Sequence, residues 1–212
     1  REEPRGEHLV AVLSGANMNF DRLRFVAERA ELGEAREAVF AVTIPERAGA
    51  FREFCGSIGR RVITEFNYRL SSRAEAHIFV GVATQSKTDA QEFAEELNQK
   101  GYEAVDLSNN EIAKLHVRHM VGGRAPDVTN ESLCRFEFPE RPGALMQFLD
   151  RLGGRWNISL FHYRNHGADF GRVLVAFEVP ESERKEFTAF LDSLGYPHHP
   201  EPNNKAYSLF LS

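Results

Sequence analysis

The chain has 212 residues, of which 42% are hydrophobic and 27% are charged, and its net charge is -5. This acidic balance argues against a surface that neutralises nucleic-acid phosphates. No apolar run approaches the roughly 20 residues that a membrane-spanning helix needs, and no charged leader precedes an apolar stretch. We therefore expect a protein of the cytosol that binds neither nucleic acid nor membrane, with Cys55 and Cys134 as buried, reduced thiols.

Residues 1–36 differ from the rest of the chain. Residues 9–14 form a short apolar run typical of a buried strand, and residues 20–32 have the spacing of a helix. Neither segment belongs to the repeat that fills the remainder of the chain. We interpret residues 1–36 as the last part of another, larger domain.

The next segment follows a β-α-β-β-α-β pattern. Phe40, Val42 and Ile44 alternate on one face of a predicted strand over residues 39–44. A helix begins near Ala50, and its apolar stripe follows the i, i+3, i+4, i+7 pattern at Phe51, Phe54, Cys55 and Ile58. Two further strands, a helix and a fourth strand are predicted over residues 62–69, 76–84, 88–101 and 104–107.

The remainder predicts a connection and a second unit of the same kind. Residues 111–120 have helical character, and residues 121–130 contain the Gly, Pro and Asp residues typical of a linker. The second unit extends over residues 133–179 and a helix at 183–194. Residues 206–211 alternate like a strand, so we expect the two units to differ after their fourth strand.

The two units are copies of one another. Residues 45–51 (PERAGAF) recur 94 positions later as residues 139–145 (PERPGAL), and residues 66–69 (FNYR) recur 95 positions later as residues 161–164 (FHYR). A long internal period of this kind indicates two copies of one fold. The predicted class is α+β, with two tandem ferredoxin-like βαββαβ domains whose antiparallel sheets carry their helices on one face.

The repeats contain little that predicts catalysis. We find no convincing nucleophile with a base, and no carboxylate pair. His116 and His119 lie one helical turn apart, but a structural zinc site needs two further ligands at matching spacing. We therefore expect neither a catalytic residue nor a metal in this chain.

The repeated loop is the first candidate binding element. In each copy a glutamate precedes a glycine and an alanine at the start of a helix, where free N–H groups and the helix dipole attract an anion such as a carboxylate. Alternatively, the glycines only permit a tight turn between strand and helix. The residues concerned are Glu46, Gly49 and Ala50 in the first copy and Glu140, Gly143 and Ala144 in the second.

The repeated strand is the second candidate. An aromatic wall and an arginine with fork geometry would suit a small zwitterion that has an apolar side chain. The alternative is an ordinary exposed strand face that happens to include two arginines. The residues concerned are Phe66, Asn67, Tyr68 and Arg69, and in the second copy Phe161, His162, Tyr163 and Arg164.

These motifs resemble the C-terminal regulatory region of biosynthetic threonine deaminase (threonine ammonia-lyase), which consists of two ACT-like domains. The similarity covers residues 8–212, and its most specific strings are SGANMNF at 14–20, FNYR at 66–69, VGGR at 121–124 and WNISLFHYR at 156–164. It implies a domain 1 at residues 37–123, a linker at 124–131 and a domain 2 at 132–212.

The resemblance also implies a function. In that family a separate catalytic domain uses pyridoxal phosphate to convert threonine to 2-oxobutanoate and ammonia, while the tandem region binds isoleucine as feedback inhibitor and valine as its antagonist. Ser14 would match the serine that contacts the pyridine nitrogen of the cofactor, and the chain itself would hold no cofactor. The expected parent is a cytoplasmic homo-oligomer, dimeric or tetrameric, or a protein of the plastid stroma if it comes from a plant.

By the same resemblance, Tyr68, Arg69, Tyr163 and Arg164 match positions tied to the effector response. The copies differ at matched positions, since Glu65 corresponds to Leu160 and Asn67 to His162, so we do not expect equal affinity at two sites. A different class of function remains open. The region would then be an assembly module that holds enzyme subunits together without binding a ligand.

Overall fold

The computed structural model of the chain describes residues 36–120, 122–141, 143–165 and 170–211, together with Leu23, Val26 and Ala30. The strand predicted over residues 9–14 lies outside these residues, as does most of the helix predicted over 20–32. The interpretation of residues 1–36 as part of another domain therefore stays a prediction.

The described residues form two units with the same order of elements, which confirms the predicted fold class. The first copy comprises β1 (Glu37–Pro45), α1 (Ala50–Ile58), β2 (Ile63–Arg69), β3 (Glu75–Ala83), α2 (Lys87–Gln99), β4 (Glu103–Asp106) and α3 (Glu111–Leu115). The second copy comprises β5 (Glu131–Pro139), α4 (Ala144–Leu152), β6 (Asn157–Arg164), β7 (Phe170–Glu178), α5 (Arg184–Ser193), β8 (His198–Pro200) and α6 (Lys205–Phe210). Short 3-10 helices follow α3 at Val117–His119 and precede α5 at Glu181–Glu183.

The two copies share one eight-stranded sheet. Its order is β4-β1-β3-β2-β6-β7-β5-β8, and every neighbouring pair is antiparallel. The copies join where β2 pairs with β6, and at the middle of this pair Asn67 lies opposite His162. Because these two residues also correspond to one another in the repeat, an approximate twofold axis passes between them.

The main core lies on one face of this sheet, under the four longer helices. The side chains predicted to alternate inward from β1, Phe40, Val42 and Ile44, belong to it. So does the complete predicted stripe of α1, because Phe51, Phe54, Cys55 and Ile58 are all buried. Alternation along the strands and helical spacing in α1 thus predicted the inward residues correctly.

The second face of the sheet carries the two short helices. Ala113 of α3 packs with Val39 and Phe79. On the other copy, Tyr207 and Leu211 at α6 pack against a cluster around Leu160. The sheet is therefore covered on both faces, whereas the sequence predicted helices on one face only.

The strand predicted over residues 206–211 is wrong, because Lys205–Phe210 forms helix α6. The side chain of Asn204 caps this helix by accepting hydrogen bonds from the backbone N–H groups of Ala206 and Tyr207. Asn110 caps α3 in the same way, through the N–H of Ala113. The two copies therefore end alike, because an asparagine whose oxygen satisfies free N–H groups begins a helix in each.

Both cysteines are free and buried, as predicted. Burial raises the pKa of the Cys134 thiol to about 11, so it is protonated at neutral pH. The helix predicted over residues 111–120 stops at Leu115 and continues as the 3-10 turn. Among the described residues, no helix is long and apolar enough to cross a bilayer.

Candidate functional site

Each repeated loop turns at its glycine. Gly49 and Gly143 are the N-cap residues of α1 and α4, with φ angles of 88° and 80°. This left-handed conformation strains residues that carry a Cβ atom. The tight-turn explanation therefore accounts for both glycines. Ala50 and Ala144, the first residues of the helices, are buried beneath the loops.

The glutamate of each loop accepts a hydrogen bond from a tyrosine of the central strand pair. The Tyr68 hydroxyl donates to Oε2 of Glu46 at 2.5 Å, and the Tyr163 hydroxyl donates to Oε1 of Glu140. Burial raises the pKa of both tyrosines far above the usual value, and the neighbouring carboxylate raises it further. Both hydroxyls are thus fixed as donors at physiological pH, and they hold the loop glutamates against the sheet.

The predicted strand residues divide between the two faces of the sheet. Phe66, Tyr68, Phe161 and Tyr163 lie in the main core beneath the helices. Arg69 lies on the opposite face, where it contacts Glu131 and the carbonyl of Leu211. Neighbouring residues of a strand point in opposite directions. The predicted combination of aromatic wall and arginine fork around one ligand is therefore wrong, and Phe66 and Phe161 are core residues.

A cleft of about 650 Å³ lies between the two copies, beside Tyr163. One wall is the connection between α1 and β2, including Arg60 and Val62, and the other comes from the second loop and α4, including Glu140 and Leu145. This volume falls within the roughly 300–1,000 Å³ typical of small-molecule sites. Of the sequence-predicted residues, Glu140, Gly143 and Tyr163 line the cleft, while Ala144 is buried next to it.

The charges around this cleft have both signs. Arg60 makes no ion pair or hydrogen bond with any described residue. Tyr163 and Asn165 both donate to Oε1 of Glu140, and its Oε2 has no hydrogen-bond donor among the described residues. The cation of Arg60 and the carboxylate of Glu140 therefore both line the walls of a partly apolar cleft. This combination suits a zwitterion.

Comparison with known sequences agrees with the duplication. The sequence model of the family described as the C-terminal regulatory domain of threonine dehydratase matches residues 28–117 and again residues 122–211. The chain belongs to this family.

Individual proteins that are similar to this regulatory domain are named threonine dehydratases. The chain is 56% identical over its full length to a biosynthetic L-threonine dehydratase of Burkholderia multivorans, and 55% identical over 98% of its length to that of Escherichia coli. It is 48% identical over 95% of its length to the mitochondrial threonine dehydratase of Saccharomyces cerevisiae. The chain spans only 42%, 40% and 36% of these three relatives.

On the second face of the regulatory domain, Arg69 binds several segments of the chain at once. Its guanidinium group pairs with Glu131 and donates to the carbonyls of Ser159 at 3.2 Å, Leu211 at 2.5 Å and Gly123 at 3.0 Å. Only 7% of its side chain is exposed. Arg69 therefore joins the central strand pair to the connecting segment and to the end of α6, and its donors are already used.

A second buried cluster was missed by the sequence reasoning. Arg118 lies 2.7 Å from Oε1 of Glu65 and 3.2 Å from Oε2 of Glu37, and the side chains of all three are buried. Asn67 donates to the carbonyl of Arg118 at 3.1 Å. Burial raises the pKa of Glu65 to about 7. The attraction of Arg118 opposes this shift, and repulsion from Glu37 adds to it. The signal available in the sequence was Glu65, a carboxylate inside the predicted strand over residues 62–69.

Arg164 and His162 complete this face. Arg164 Nε is 4.0 Å from Oε2 of Glu65, and its Nη1 is 3.3 Å from Nδ1 of His119. His162 lies half-buried opposite Asn67. The face thus links both copies to the 3-10 turn after α3. Ser14, the residue assigned to a cofactor by resemblance, lies outside the described residues.

Proposed function

We propose that this chain senses branched-chain amino acids for a biosynthetic threonine dehydratase, with isoleucine as feedback inhibitor and valine as antagonist. The parent enzyme would use pyridoxal phosphate in a separate catalytic domain to convert threonine to 2-oxobutanoate and ammonia. The present chain would regulate the enzyme and would not take part in catalysis. The proposed location is the cytoplasm, or the plastid stroma for a plant protein.

The observation that carries this proposal is the cleft beside Tyr163. An amino acid presents an ammonium group, a carboxylate and a side chain, and each has a suitable partner there. Glu140 would accept from the ammonium, Arg60 and the first-turn N–H groups of α4 would bind the carboxylate, and Val62 and Leu145 would contact an aliphatic side chain.

The predicted residues outside the cleft would act indirectly. Arg69 and Arg164 hold the segments that connect and follow the two copies, and Tyr68 holds the first loop. We propose that they are positioning residues, which transmit a change at the cleft to the catalytic domain. Glu46, Gly49, Ala50, Phe66, Asn67, Phe161 and His162 would belong to the same framework.

Regulation requires that the effectors distinguish two states. If this region packs against the catalytic domain in two ways, an amino acid that bound both packings with equal affinity would not shift the equilibrium between them. A coupling free energy of about 1–3 kcal/mol is typical of allosteric proteins. The two effectors would therefore favour different packings of the tandem domains against the catalytic domain.

Calorimetric titration tests the proposal. We expect heat of binding with isoleucine and with valine, and none with aspartate, whose charged side chain the apolar wall would exclude. Glu140→Gln should weaken isoleucine binding at least tenfold, because it removes the partner of the ammonium group, whereas Glu95→Gln on the exposed face of α2 should leave it unchanged. The absence of heat with both branched amino acids would refute the proposal.

An assembly module is the second candidate, and one observation favours it. Large apolar side chains are exposed on the helices and turn of the second face, namely Ile112, Leu115, Met120, Leu209 and Phe210. Such side chains are typical of surfaces that meet another protein. In the full-length enzyme, Arg69→Ala and Arg164→Ala separate the two functions. Loss of inhibition with intact oligomers supports sensing, and dissociation with unchanged inhibition supports assembly.

A further inference from the structure

The second face of the first copy carries a row of uncharged side chains. Val105, Ala41 and Phe79 lie side by side on β4, β1 and β3. They point to the same side, since directly paired residues of an antiparallel sheet do so. Phe79 packs with Ala113 of α3, whereas Val105 is 49% exposed. An apolar strip therefore continues from beneath α3 to the edge of the sheet, where it is open to solvent.

The matching row of the second copy is charged. It consists of His199, Arg135 and Leu174, in the same register on β8, β5 and β7. Arg135 pairs with Glu201 at 2.6 Å, and its side chain is 54% exposed. The two copies thus share backbone positions but cover them differently. Exposed ion pairs suit a face that stays in water, whereas an open apolar strip suits a face that meets another protein.

Further exposed apolar side chains lie on the helix and turn above this strip. They are Ile112 and Leu115 on α3, and Val117 and Met120 in and directly after the 3-10 turn. We call these four side chains, together with Ala41 and Val105, the first-copy patch. In the second copy α6 also exposes Leu209 and Phe210, but the strand row there is charged. Only the first copy therefore combines an apolar strand row with exposed apolar helix residues.

The chain enters the fold beside the first-copy patch. The side chain of Glu37, the first residue of β1, is buried 3.2 Å from Arg118 in the 3-10 turn. Leu23, Val26 and Ala30 are helical and exposed, and they have the i, i+3, i+7 spacing of one helix face. A chain that runs from residue 30 to residue 37 spans at most about 25 Å. The part of the polypeptide that precedes β1 is therefore held close to the patch, and it presents apolar side chains of its own.

We infer that the first-copy patch is the surface on which the catalytic domain of the parent enzyme docks, and that the second face of the second copy stays in solvent. This inference rests on the proposed function and names the surface through which regulation reaches the catalytic domain. The chain spans between 36% and 42% of the three threonine dehydratases described above, so more than half of such a protein lies outside it. A domain joined to β1 by a short connection meets the patch at a high effective concentration, so a small apolar contact is sufficient.

Thiol labelling of matched cysteine variants tests the inference. Val105→Cys places a thiol in the patch, and His199→Cys places one at the corresponding exposed position of the second copy. A maleimide, followed by mass spectrometry of the labelled peptide, should modify both variants of the present chain at similar rates. In the full-length enzyme Val105→Cys should react at least tenfold more slowly than in the present chain, whereas His199→Cys should keep its rate.

A second pair of substitutions asks whether apolar contact causes the protection. Ile112→Glu and Ala206→Glu each place a carboxylate in the first turn of a short helix, at exposed and corresponding positions of the two copies. Both should leave the unfolding midpoint of the present chain unchanged. In the full-length enzyme, Ile112→Glu should restore the labelling of Val105→Cys at least tenfold, and Ala206→Glu should not.

Equal labelling of Val105→Cys in the present chain and the full-length enzyme would overturn the inference. Protection that already occurs in the present chain and grows with its concentration would overturn it too, because the partner would then be a second copy of this chain. In both cases the sensing function stands if isoleucine still gives heat of binding. No heat with isoleucine or valine would instead overturn the proposed function.

Discussion

The buried carboxylate of Glu65 should make the stability of this chain depend on pH. Its side chain is 1% exposed, and burial raises its pKa from the ordinary value of 4.5 to about 7. The folded state therefore binds a proton more tightly than the unfolded state. This contribution to stability is fully present below pH 4.5 and is lost as the pH rises through about 7. At 1.36 kcal/mol per pKa unit, the difference corresponds to about 3 kcal/mol.

Glu65→Gln keeps the shape of the side chain and removes the titration. The free energy of unfolding of the parent chain should fall by about 2–3 kcal/mol more than that of Glu65→Gln between pH 5 and pH 8. Urea unfolding followed by circular dichroism at several pH values measures both slopes. Comparing the two proteins cancels the other titrating groups.

If Glu65→Gln retained the slope of the parent chain, Glu65 would titrate alike in the folded and unfolded states. The argument that burial outweighs the attraction of Arg118 would then be refuted.

Three further predictions concern the stability of the chain in urea at pH 7. Gly143→Ala should lower the free energy of unfolding by about 1–2 kcal/mol, because Gly143 has a φ of 80°. Gly56→Ala should raise it by about 0.5–1 kcal/mol, because Gly56 lies inside α1 and its new Cβ atom meets nothing within 4 Å. Asn204→Ala should cost about 1 kcal/mol, because α6 loses its cap. Gly154→Ala should cost about 1–3 kcal/mol by pressing on the backbone of Gly49.

Each of these predictions has a result that contradicts it. Equal effects of Gly143→Ala and Gly56→Ala would mean that the left-handed turn is not required at the second loop. A fully stable Asn204→Ala would mean that α6 is held by Tyr207 and Leu211 alone. A Gly154→Ala variant of unchanged stability would mean that the first loop and the turn after α4 are not in close contact.

Much of the architecture was readable from the repeat. The recurrence of PERAGAF as PERPGAL, together with the alternation at Phe40, Val42 and Ile44, predicted two βαββαβ units and their inward faces. The reason is that strand and helix periodicities are local properties of the chain. The helix α6 was missed because its apolar residues also alternate, and the cap at Asn204, which lies before the segment, decided between helix and strand.

The candidate site was only partly predictable. Glu140, Gly143 and Tyr163 were identified from the repeat, and they do line the cleft. Arg60 and Val62 were not, because they come from the other copy and approach the cleft only through the pairing of β2 with β6. The role of Arg69 was misjudged, since a dipeptide such as Tyr68-Arg69 looks like one binding element in sequence but faces both sides of a sheet.

The sequence by itself determined the duplication, the βαββαβ order within each unit and the family, because these depend on spacing along the chain and on motifs shared between the copies. Only the tertiary structure decided which residues of the two copies meet. That outcome depends on contacts between residues about a hundred positions apart, such as Gly154 with Gly49 and Asn157 with Glu46. Such contacts follow from the joining of the two sheets at the Asn67–His162 pair, which no local pattern contains.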